Sequence, residues 1–553
     1  MSWSASSGPF SPLRGEKGRM RGTTSRTLAM AFSTTILLYA GAARAQGQPS
    51  EDEIFGAAEK VDSATATATT TTTATTTATD TGTGTGTGID ARDDLNLGDP
   101  KAGTRYSAEV APEDPLKVGG QVYWRVMSTG RQGQYPQNWS LSAPALVDVF
   151  MDARPNDRVR AFVLGRMSYD PTLPPNGSTT STGGTVSGSA QGNDSPSSAF
   201  GQQTRGPNAV LDQLWLRFDL LRTVFVTAGK QHVRWGTARF WAPTDYLHLQ
   251  ARNPLLPFDA RSGTTMLKLH VPWEERGWNF YAYALPESAT STSTTGSIAG
   301  AVRAEIVLGT FEAGAGVFGR QNSKAKFAAD FSAGIWDLDF YGEAALRNAS
   351  DVDRVSYDSQ ADLSTTPAVL PTIIEKLYQP ERGSGWKPQV TGGVSYTRQY
   401  ADKDTFTVGV EYFYNGLGYS SAEVYPGLVL PRNTPLSNPA TFFYLGRHYL
   451  AVFATAPAPY SWDNTTFTVS ALGNLSDNSG LARLDYSLTV LTHVRFEAYG
   501  VVHFGQKNGE FRFGLDASAL VPPGSDPKLE ELGNKYSFGP SLFDLGVGLR
   551  VAL

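Results

Sequence analysis

Cationic side chains recur at alternating positions in the first half of the chain, a spacing that would gather them on one wall. The set is Arg125, Arg160, Arg166, Arg217, Lys230, His232, Arg234, Lys268 and His270. Such a row can offset the hydration that a small anion loses when it leaves bulk water. The alternative is that these groups pair with acids across neighbouring strands and only stiffen a wet wall. The sequence leaves both alternatives open.

In the second half of the chain, cations and acids are more evenly balanced. The corresponding positions there are Arg303, Arg347, Arg483, Arg495, Arg550, Glu305, Asp339, Glu343, Glu411, Asp485, Glu497 and Asp544. The acids on the same strands as the first set are Asp148, Asp152 and Asp219, so the first half is the more basic. We therefore expect any anion-attracting surface on the wall that the first half builds.

Histidines offer a different chemistry, because a His beside Ser and Asp can support hydrolysis. Of the six histidines, His232 and His270 could meet Asp245, but no nucleophile stands in a recognisable pattern with them. Cysteine is absent, which excludes thiolate sites, and no spacing predicts a metal site or a phosphate loop. We predict no catalytic residue, cofactor or metal, and a hydrolase is the least favoured function.

A second set of residues, between positions 236 and 263, combines charges with aromatic side chains in an irregular segment. Its members are Arg239, Phe240, Trp241, Asp245, Tyr246, Arg252, Asp259 and Arg261. The aromatic side chains are too apolar to remain in water, so the segment must pack against something. It folds either into the mouth of the domain, where it would narrow a passage, or over neighbouring loops outside.

The elements that must position these residues are β-strands. From about residue 116, runs of about ten residues alternate apolar and polar side chains, as in 482–490, 223–235 and 541–553. We count about 18 such runs, within a range of 16–18, an even number of the kind that bacterial single-chain barrels require. The pattern predicts an all-β fold over residues 116–553, namely a transmembrane antiparallel up-and-down β-barrel.

Connection lengths separate this fold from a soluble sandwich, which would also bury one apolar face. Connections after even-numbered runs are short, whereas the very long ones all follow odd-numbered runs. The long ones are 170–208, 236–263, 349–388, 418–446 and 507–540. Short periplasmic turns and long outer loops are typical of bacterial outer-membrane barrels. Tryptophans near the predicted strand ends, such as Trp273 and Trp278, also favour a membrane.

The first 115 residues predict export and a tether. Basic residues from Arg14 to Arg26 precede a short apolar run and the sequence Ala43-Arg44-Ala45, which is the layout of a cleavable signal peptide over 1–45. The apolar run is shorter than the roughly 20 residues that span a bilayer as a helix. Residues 46–115, with a Thr/Ala tract at 63–79, offer little to bury and predict a disordered periplasmic tether rather than a folded plug.

One stretch of about forty residues resembles a known family. Gly229-Lys230-Gln231, Trp235-Gly236 and Pro243-Thr244-Asp245 are similar to a Gly-(Arg/Lys)-Gln, Trp-Gly and Pro-Thr-Asp motif. That motif occurs in largely uncharacterised proteobacterial outer-membrane porin-like barrels. The resemblance implies an outer-membrane barrel with a transport role, and the family supplies no solute that could be carried over.

These features together predict an outer-membrane porin or passive channel for small hydrophilic solutes, with a preference for anions if the basic wall is unpaired. The alternative is a surface or structural barrel that binds a partner through its long outer loops. The expected partners are outer-membrane lipid, a small-molecule solute and the barrel assembly machinery. The last strand resembles the signal that this machinery reads, although it ends in Leu553 rather than an aromatic residue. A net charge of -5 without a basic tract predicts no nucleic-acid partner. The sequence leaves the oligomeric state open.

Overall fold

The computed structural model describes residues 115–172, 207–248, 250–255, 261–287, 298–321, 323–363, 369–400, 404–434, 436, 441–521 and 526–553. The predicted signal peptide (1–45) and all of the predicted tether (46–115) except Pro115 lie outside these residues. Both therefore stay predictions.

Twenty-one strands and three α-helices account for most of the described chain. The strands are β1 (Leu116–Arg131), β2 (Ser140–Ser142), β3 (Ala145–Asn156), β4 (Val159–Tyr169), β5 (Asn208–Leu220), β6 (Val224–Gln231), β7 (Thr264–Trp273), β8 (Trp278–Leu285), β9 (Ala299–Leu308), β10 (Phe311–Gly319), β11 (Lys326–Ile335), β12 (Leu338–Asn348), β13 (Arg354–Tyr357), β14 (Tyr378–Glu381), β15 (Trp386–Gln399), β16 (Thr405–Asn415), β17 (His448–Pro457), β18 (Thr465–Asn474), β19 (Ser479–Val490), β20 (Val494–Gly505) and β21 (Ser541–Ala552). The helices are α1 (Leu370–Leu377), α2 (Tyr425–Val429) and α3 (Pro527–Lys535).

Eighteen of these strands form a closed antiparallel barrel. The short β2 only extends the pairing of β1, and β13 and β14 form a separate two-stranded hairpin. Each remaining strand pairs with its neighbour in the chain, and β21 pairs with β1, from Gln121 opposite Ala552 to Arg131 opposite Ser541. This last ladder leaves the wall without an edge. The predicted architecture and the predicted number of strands are confirmed.

The two ends of the barrel differ in the length of their connections, as predicted. At the short-turn end, β5 and β6 are joined by residues 221–223, and β19 and β20 by residues 491–493. At the long-loop end, residues 349–385 join β12 to β15, and residues 506–540 join β20 to β21. Trp273 and Trp278 face each other across a short turn, with ring centroids 5.6 Å apart.

Side chains alternate between the lumen and the outer face along each wall strand. In β1, Tyr123, Arg125 and Met127 are buried inside the barrel. Val118 and Trp124 of the same strand lie on its outside and are 63% and 50% exposed. The same alternation leaves Val, Leu, Ile and Phe side chains exposed on strand after strand. A barrel whose outer face is apolar all the way round is suited to contact with lipid. In the described part of the chain, no helix is long and apolar enough to cross a membrane.

The described parts of three long connections, within residues 349–385, 416–447 and 506–540, fold together into what we call the loop cap. The cap has its own hydrophobic core, in which Ile374 of α1, Tyr425 of α2 and Leu529 of α3 are buried. Its helices bury one side each, although they are too short to be stable alone. The cap is therefore a folded layer at the long-loop end rather than a set of independent loops.

A buried acid pair joins this cap to the barrel rim. Asn474 Nδ2 donates to both Glu510 (2.8 Å) and Asp477 (3.0 Å), so the two carboxylates lie close together. The Tyr449 hydroxyl donates to Glu510 at 2.6 Å, and the Tyr425 hydroxyl donates to Asp477 at 3.0 Å. No cation contributes to these contacts. Burial, together with the Asp477 carboxylate, raises the pKa of Glu510 to about 8.

This pair predicts that the cap loses stability as the pH rises. The folded cap holds the proton of Glu510 more tightly than the unfolded chain, where the pKa is near 4.5. Its contribution is therefore complete below about pH 4.5 and is lost as the pH rises through about 8. Hydrogen-exchange protection factors of cap amides, corrected for the intrinsic pH dependence, should fall across this window.

Substitution of the titrating group supplies the control for that experiment. Glu510→Gln keeps the shape and removes the charge, so the protection of cap amides should become nearly independent of pH. Glu530→Gln, an exposed position on α3 of the same cap, should leave the pH dependence intact. If the two variants show the same pH profile, the acid pair does not control the cap.

Candidate functional site

The described residues between β6 and β7, namely 232–248, 250–255 and 261–263, lie inside the barrel, and we call them the crossing loop. Its residues 238–241 contact Glu343 of β12 and Glu411 of β16, both buried on the lumenal face. Going round the wall, seven strands separate β6 from β16 on one side and nine on the other. A segment that leaves β6 and reaches β16 must therefore cross the lumen near its widest span. Of the two positions that the sequence left open, the loop occupies the inner one.

Glu411 holds the middle of the crossing loop. The backbone N–H groups of Arg239, Phe240 and Trp241 all donate to its carboxylate, at 2.9, 3.1 and 2.9 Å. The hydroxyl groups of Tyr341 and Thr391 donate to the same carboxylate. Charge-assisted hydrogen bonds of this kind are roughly twice as strong as neutral ones. One side chain of the wall thus satisfies three consecutive amides that have no strand partner.

Glu343 holds the beginning of the loop in the same way. It accepts the N–H of Ala238 at 2.7 Å, and both the N–H (3.3 Å) and the hydroxyl (2.6 Å) of Thr244. Gly236 has a φ of +97°, and a Cβ placed there would lie 2.2 Å from the Glu343 carboxylate. A residue without a Cβ is required at this position both for the backbone conformation and for the close approach of the anchor.

Aromatic side chains fix the loop against two separate parts of the wall. Trp241 is fully buried, stacks on Phe413 with centroids 5.7 Å apart, and donates its indole N–H to the carbonyl of Phe443. On the other side, Trp235 and Tyr246 pack with side chains of β8 and β10. Removal of such a buried indole ring costs about 3–5 kcal/mol. The loop therefore divides the lumen.

A chain of acids and imidazoles attaches the two ends of the loop to β5. Asp212 lies 3.1 Å from His232 Nε2, and His232 Nδ1 lies 3.4 Å from His248 Nε2. His248 Nδ1 then meets Asp245 at 3.0 Å, and Arg261 donates to Asp245 at 2.9 Å. Burial opposes the ionised form of Asp245, but His248 and Arg261 outweigh it and hold its pKa well below the usual range. Both rings are thus used to hold the loop.

His232 and His270, which the sequence allowed to meet beside Asp245, do not lie together. In the ladder of β6 and β7, Gln231 pairs with Thr264 and Phe225 pairs with His270. His270 therefore lies six residues further along the barrel, about 20 Å away at the rise of a strand. There it contacts the Asn279 side chain at 2.9 Å and stacks on Tyr281. Within the described residues, no group of three or more His, Asp or Glu side chains is placed to hold a metal.

One side of the divided lumen retains a cavity that opens to solvent. The crossing loop contributes Arg239 and Arg252, with Phe240, to one side of this cavity. The wall contributes Arg125, Arg483, Arg495, Asp485 and Glu497. Five arginines thus face two acids, an excess of three positive charges. Water can enter this space, and the charges on its surface determine which solutes are stabilised there.

The cations that the sequence singled out are distributed differently from the prediction. Arg125 borders the cavity, whereas Arg160 pairs with Asp152 at 2.9 Å and Arg166 pairs with Asp148 at 2.9 Å. Arg217 lies over the ring of Phe225, and Lys268 lies over the ring of Tyr281. The ion pairs of Arg160 and Arg166 match the alternative in which first-half charges pair with acids on neighbouring strands, whereas Arg217 and Lys268 lie on aromatic rings.

Three further members of that set lie near the end of β6. The strand ends at Gln231, earlier than its alternation predicts, so His232 and Arg234 belong to the crossing loop. Arg234 donates to the carbonyl of Ala238. The prediction that Lys230 faces the lumen is wrong, because it pairs with Leu214, which is 48% exposed on the outer face. Asp259 of the predicted loop set lies outside the described residues.

The site also contains residues whose roles the sequence analysis missed. Glu343 and Glu411 were recognised as lumenal acids, but not as anchors of the loop. Arg483 and Arg495 were placed in the balanced half and therefore not expected to dominate a cavity. The sequence did contain a signal for these anchors. An irregular buried segment needs acceptors for its backbone N–H groups, and these must be acidic or carbonyl oxygens from elsewhere in the chain.

Comparisons with known proteins name no family for this chain. No protein-family model matches this chain, and no curated protein matches it. Among solved structures, it is similar to OccAB1 of Acinetobacter baumannii, with a TM-score of 0.45 and 12% identity over 81% of this chain and 98% of that one. It is also similar to OpdK of Pseudomonas aeruginosa, solved with vanillate, with a TM-score of 0.43 and 8% identity over 79% of this chain and 98% of that one. A third similar structure is that of Wzi of Escherichia coli, a carbohydrate-binding barrel involved in capsule assembly. Its TM-score is 0.41, with 10% identity over 80% of this chain and 85% of that one. At these values the similarities assign neither a family nor a solute to this chain.

The anchoring role of Glu411 is testable without knowledge of the function. Glu411→Ala leaves three buried N–H groups without their acceptor, at a cost of about 1–3 kcal/mol for each group. We expect the amides of Arg239, Phe240 and Trp241 to lose most of their protection from hydrogen exchange, while the barrel strands keep theirs. Glu530→Ala, on the exposed face of α3, is the control and should change neither. Unchanged protection of the loop in Glu411→Ala would show that aromatic packing alone holds it.

Proposed function

We propose that the chain is an outer-membrane channel that admits small hydrophilic solutes and favours anions. The observation that carries the proposal is the cavity between the crossing loop and the wall, where five arginines face two acids. A solute in this space exchanges part of its hydration for guanidinium contacts, which stabilises anions and disfavours cations. The closed wall and its apolar outer face support the membrane location.

The remaining parts of the proposal follow from the same geometry. The signal peptide, cleaved near Ala45, would deliver the chain to the periplasm, and the residues before β1 would remain there. The outer-face side chains Val118, Val547 and Leu545 would contact lipid. The last strand, β21, would be the one that the barrel assembly machinery recognises. The long-loop end would then face the cell exterior, with the loop cap at the mouth.

A second candidate function is supported by the loop cap. Because the cap has a hydrophobic core of its own, it presents a fixed surface on which a partner could bind. A barrel that serves mainly as such a platform would not conduct. The hydrolase alternative has less support, since His232 and His248 each turn one ring nitrogen to a carboxylate and the other to its neighbour.

Planar-bilayer recordings test the channel. The purified barrel should produce discrete conductance steps in KCl, and a salt gradient should give a reversal potential of the sign expected for chloride preference. Arg483→Gln with Arg495→Gln removes two charges from the cavity and should shift that potential toward zero. Arg398→Gln, an exposed arginine at the short-turn end, is the matched control and should leave it unchanged. Silent membranes would favour the binding platform, and a cation preference would exclude the anion-selective channel.

A further inference from the structure

The arginines of the cavity come from two separate elements, which gives it two positive poles. Arg239 and Arg252 belong to the crossing loop, and we call them the loop pole. Arg125, Arg483 and Arg495 belong to β1, β19 and β20, and we call them the wall pole. Both poles border the same space, so one solute can reach both.

The loop pole is held in position by contacts within the lumen. The guanidinium of Arg239 lies over the ring of Phe453, 3.9 Å from its centroid. Arg252 donates to the carbonyl of Arg239 at 3.2 Å. The backbone of Arg239 is in turn fixed by Glu411. Both acids that border the cavity come from the wall, so neither of them belongs to the loop pole.

The wall pole also has more arginines than acids among the residues that border the cavity. Asp485 contacts Arg483 at 2.6 Å. Glu497 lies between Arg125 (3.6 Å) and Arg550 (3.1 Å). Arg495 donates to the hydroxyl of Ser487 at 3.1 Å. Each guanidinium has more N–H donors than one carboxylate can accept from.

We propose that this cavity is a binding site for small dianions, above all dicarboxylates, whose two ends contact the loop pole and the wall pole at the same time. The proposal rests on the channel function proposed above. A guanidinium matches the planar fork of a carboxylate and can bind it through two parallel hydrogen bonds. A monocarboxylate can contact only one of the two poles. Phe453 and Tyr499 border the same space and would pack against the carbon chain between the two ends.

The test uses block of single-channel chloride current in KCl by added carboxylates. Malonate, succinate, glutarate and adipate form a series of equal charge and increasing length, and each is compared with the monocarboxylate of the same chain length at equal ionic strength. We expect one length to block at a concentration lower by about tenfold than its monocarboxylate partner, the effect of one additional charge-assisted contact. Fumarate and maleate, which have equal charge and different separation of the carboxylates, should differ in the same assay.

Two variants separate bridging from simple attraction of charge. Arg239→Gln with Arg252→Gln removes the loop pole and should reduce the block by the best dicarboxylate to that of its monocarboxylate partner. Chloride preference should persist in this variant, because the wall pole remains. Arg347→Gln is the matched control, since Arg347 is a lumenal arginine of β12 that does not border the cavity, and it should keep the length optimum. Gel mobility before and after heating confirms that each variant forms a barrel.

The outcomes distinguish this inference from the channel function. Conductance steps with equal block by all dicarboxylates, or with a length optimum that survives loss of the loop pole, would overturn the bridging site and leave the channel intact. Absence of any conductance step in the unmodified protein would overturn both. A length optimum that disappears only with Arg239 and Arg252 supports the proposal.

Discussion

The interior of this barrel depends on carboxylates of the wall that accept backbone N–H groups from a segment without strand partners. A loop inside a barrel cannot use the hydrogen bonds of the sheet, and each buried amide left unpaired costs about 1–3 kcal/mol. Glu411 and Glu343 remove that cost for residues 238–244 because each accepts several amides at once. The path of the crossing loop is therefore set by two side chains on the far wall more than by the loop itself.

Once the loop is fixed, the charges of the lumen divide into two groups. Arginines of the first strands are engaged by neighbouring acids, as Arg160 is by Asp152 and Arg166 by Asp148. On the other side of the loop, arginines from β1, β19 and β20 meet those of the loop around open space. The same residue type thus serves as structural support on one side and as the lining of a cavity on the other. What differs is the number of acids, because five arginines face only two acids around the cavity.

The barrel was predictable from sequence because the patterns that specify it lie within short stretches of the chain. Alternation of apolar and polar residues, repeated in eighteen segments, identifies strands, and sorting of connections by length identifies the two ends. The site was less predictable because its information is not local. The alternation around Lys230 does not reveal that Gly229, with a φ of +130°, lies just before the strand ends, or that Lys230 shares the face of Leu214. Nor does it show that Glu411, about 170 positions after Trp241, accepts the backbone N–H of Trp241. Which arginines are paired depends on neighbours that only the closed sheet brings together.

Enclosure of the loop also constrains the order in which the molecule can be assembled. Residues 238–241 leave the ribosome long before Glu411 and Phe413, yet they are surrounded by the finished wall. They cannot be inserted after the seam between β1 and β21 has closed without passing the folded cap. The segment can therefore enter the lumen only while the sheet is still open or while the cap is unfolded. Filling of the lumen thus precedes the last step in completing the wall and its cap.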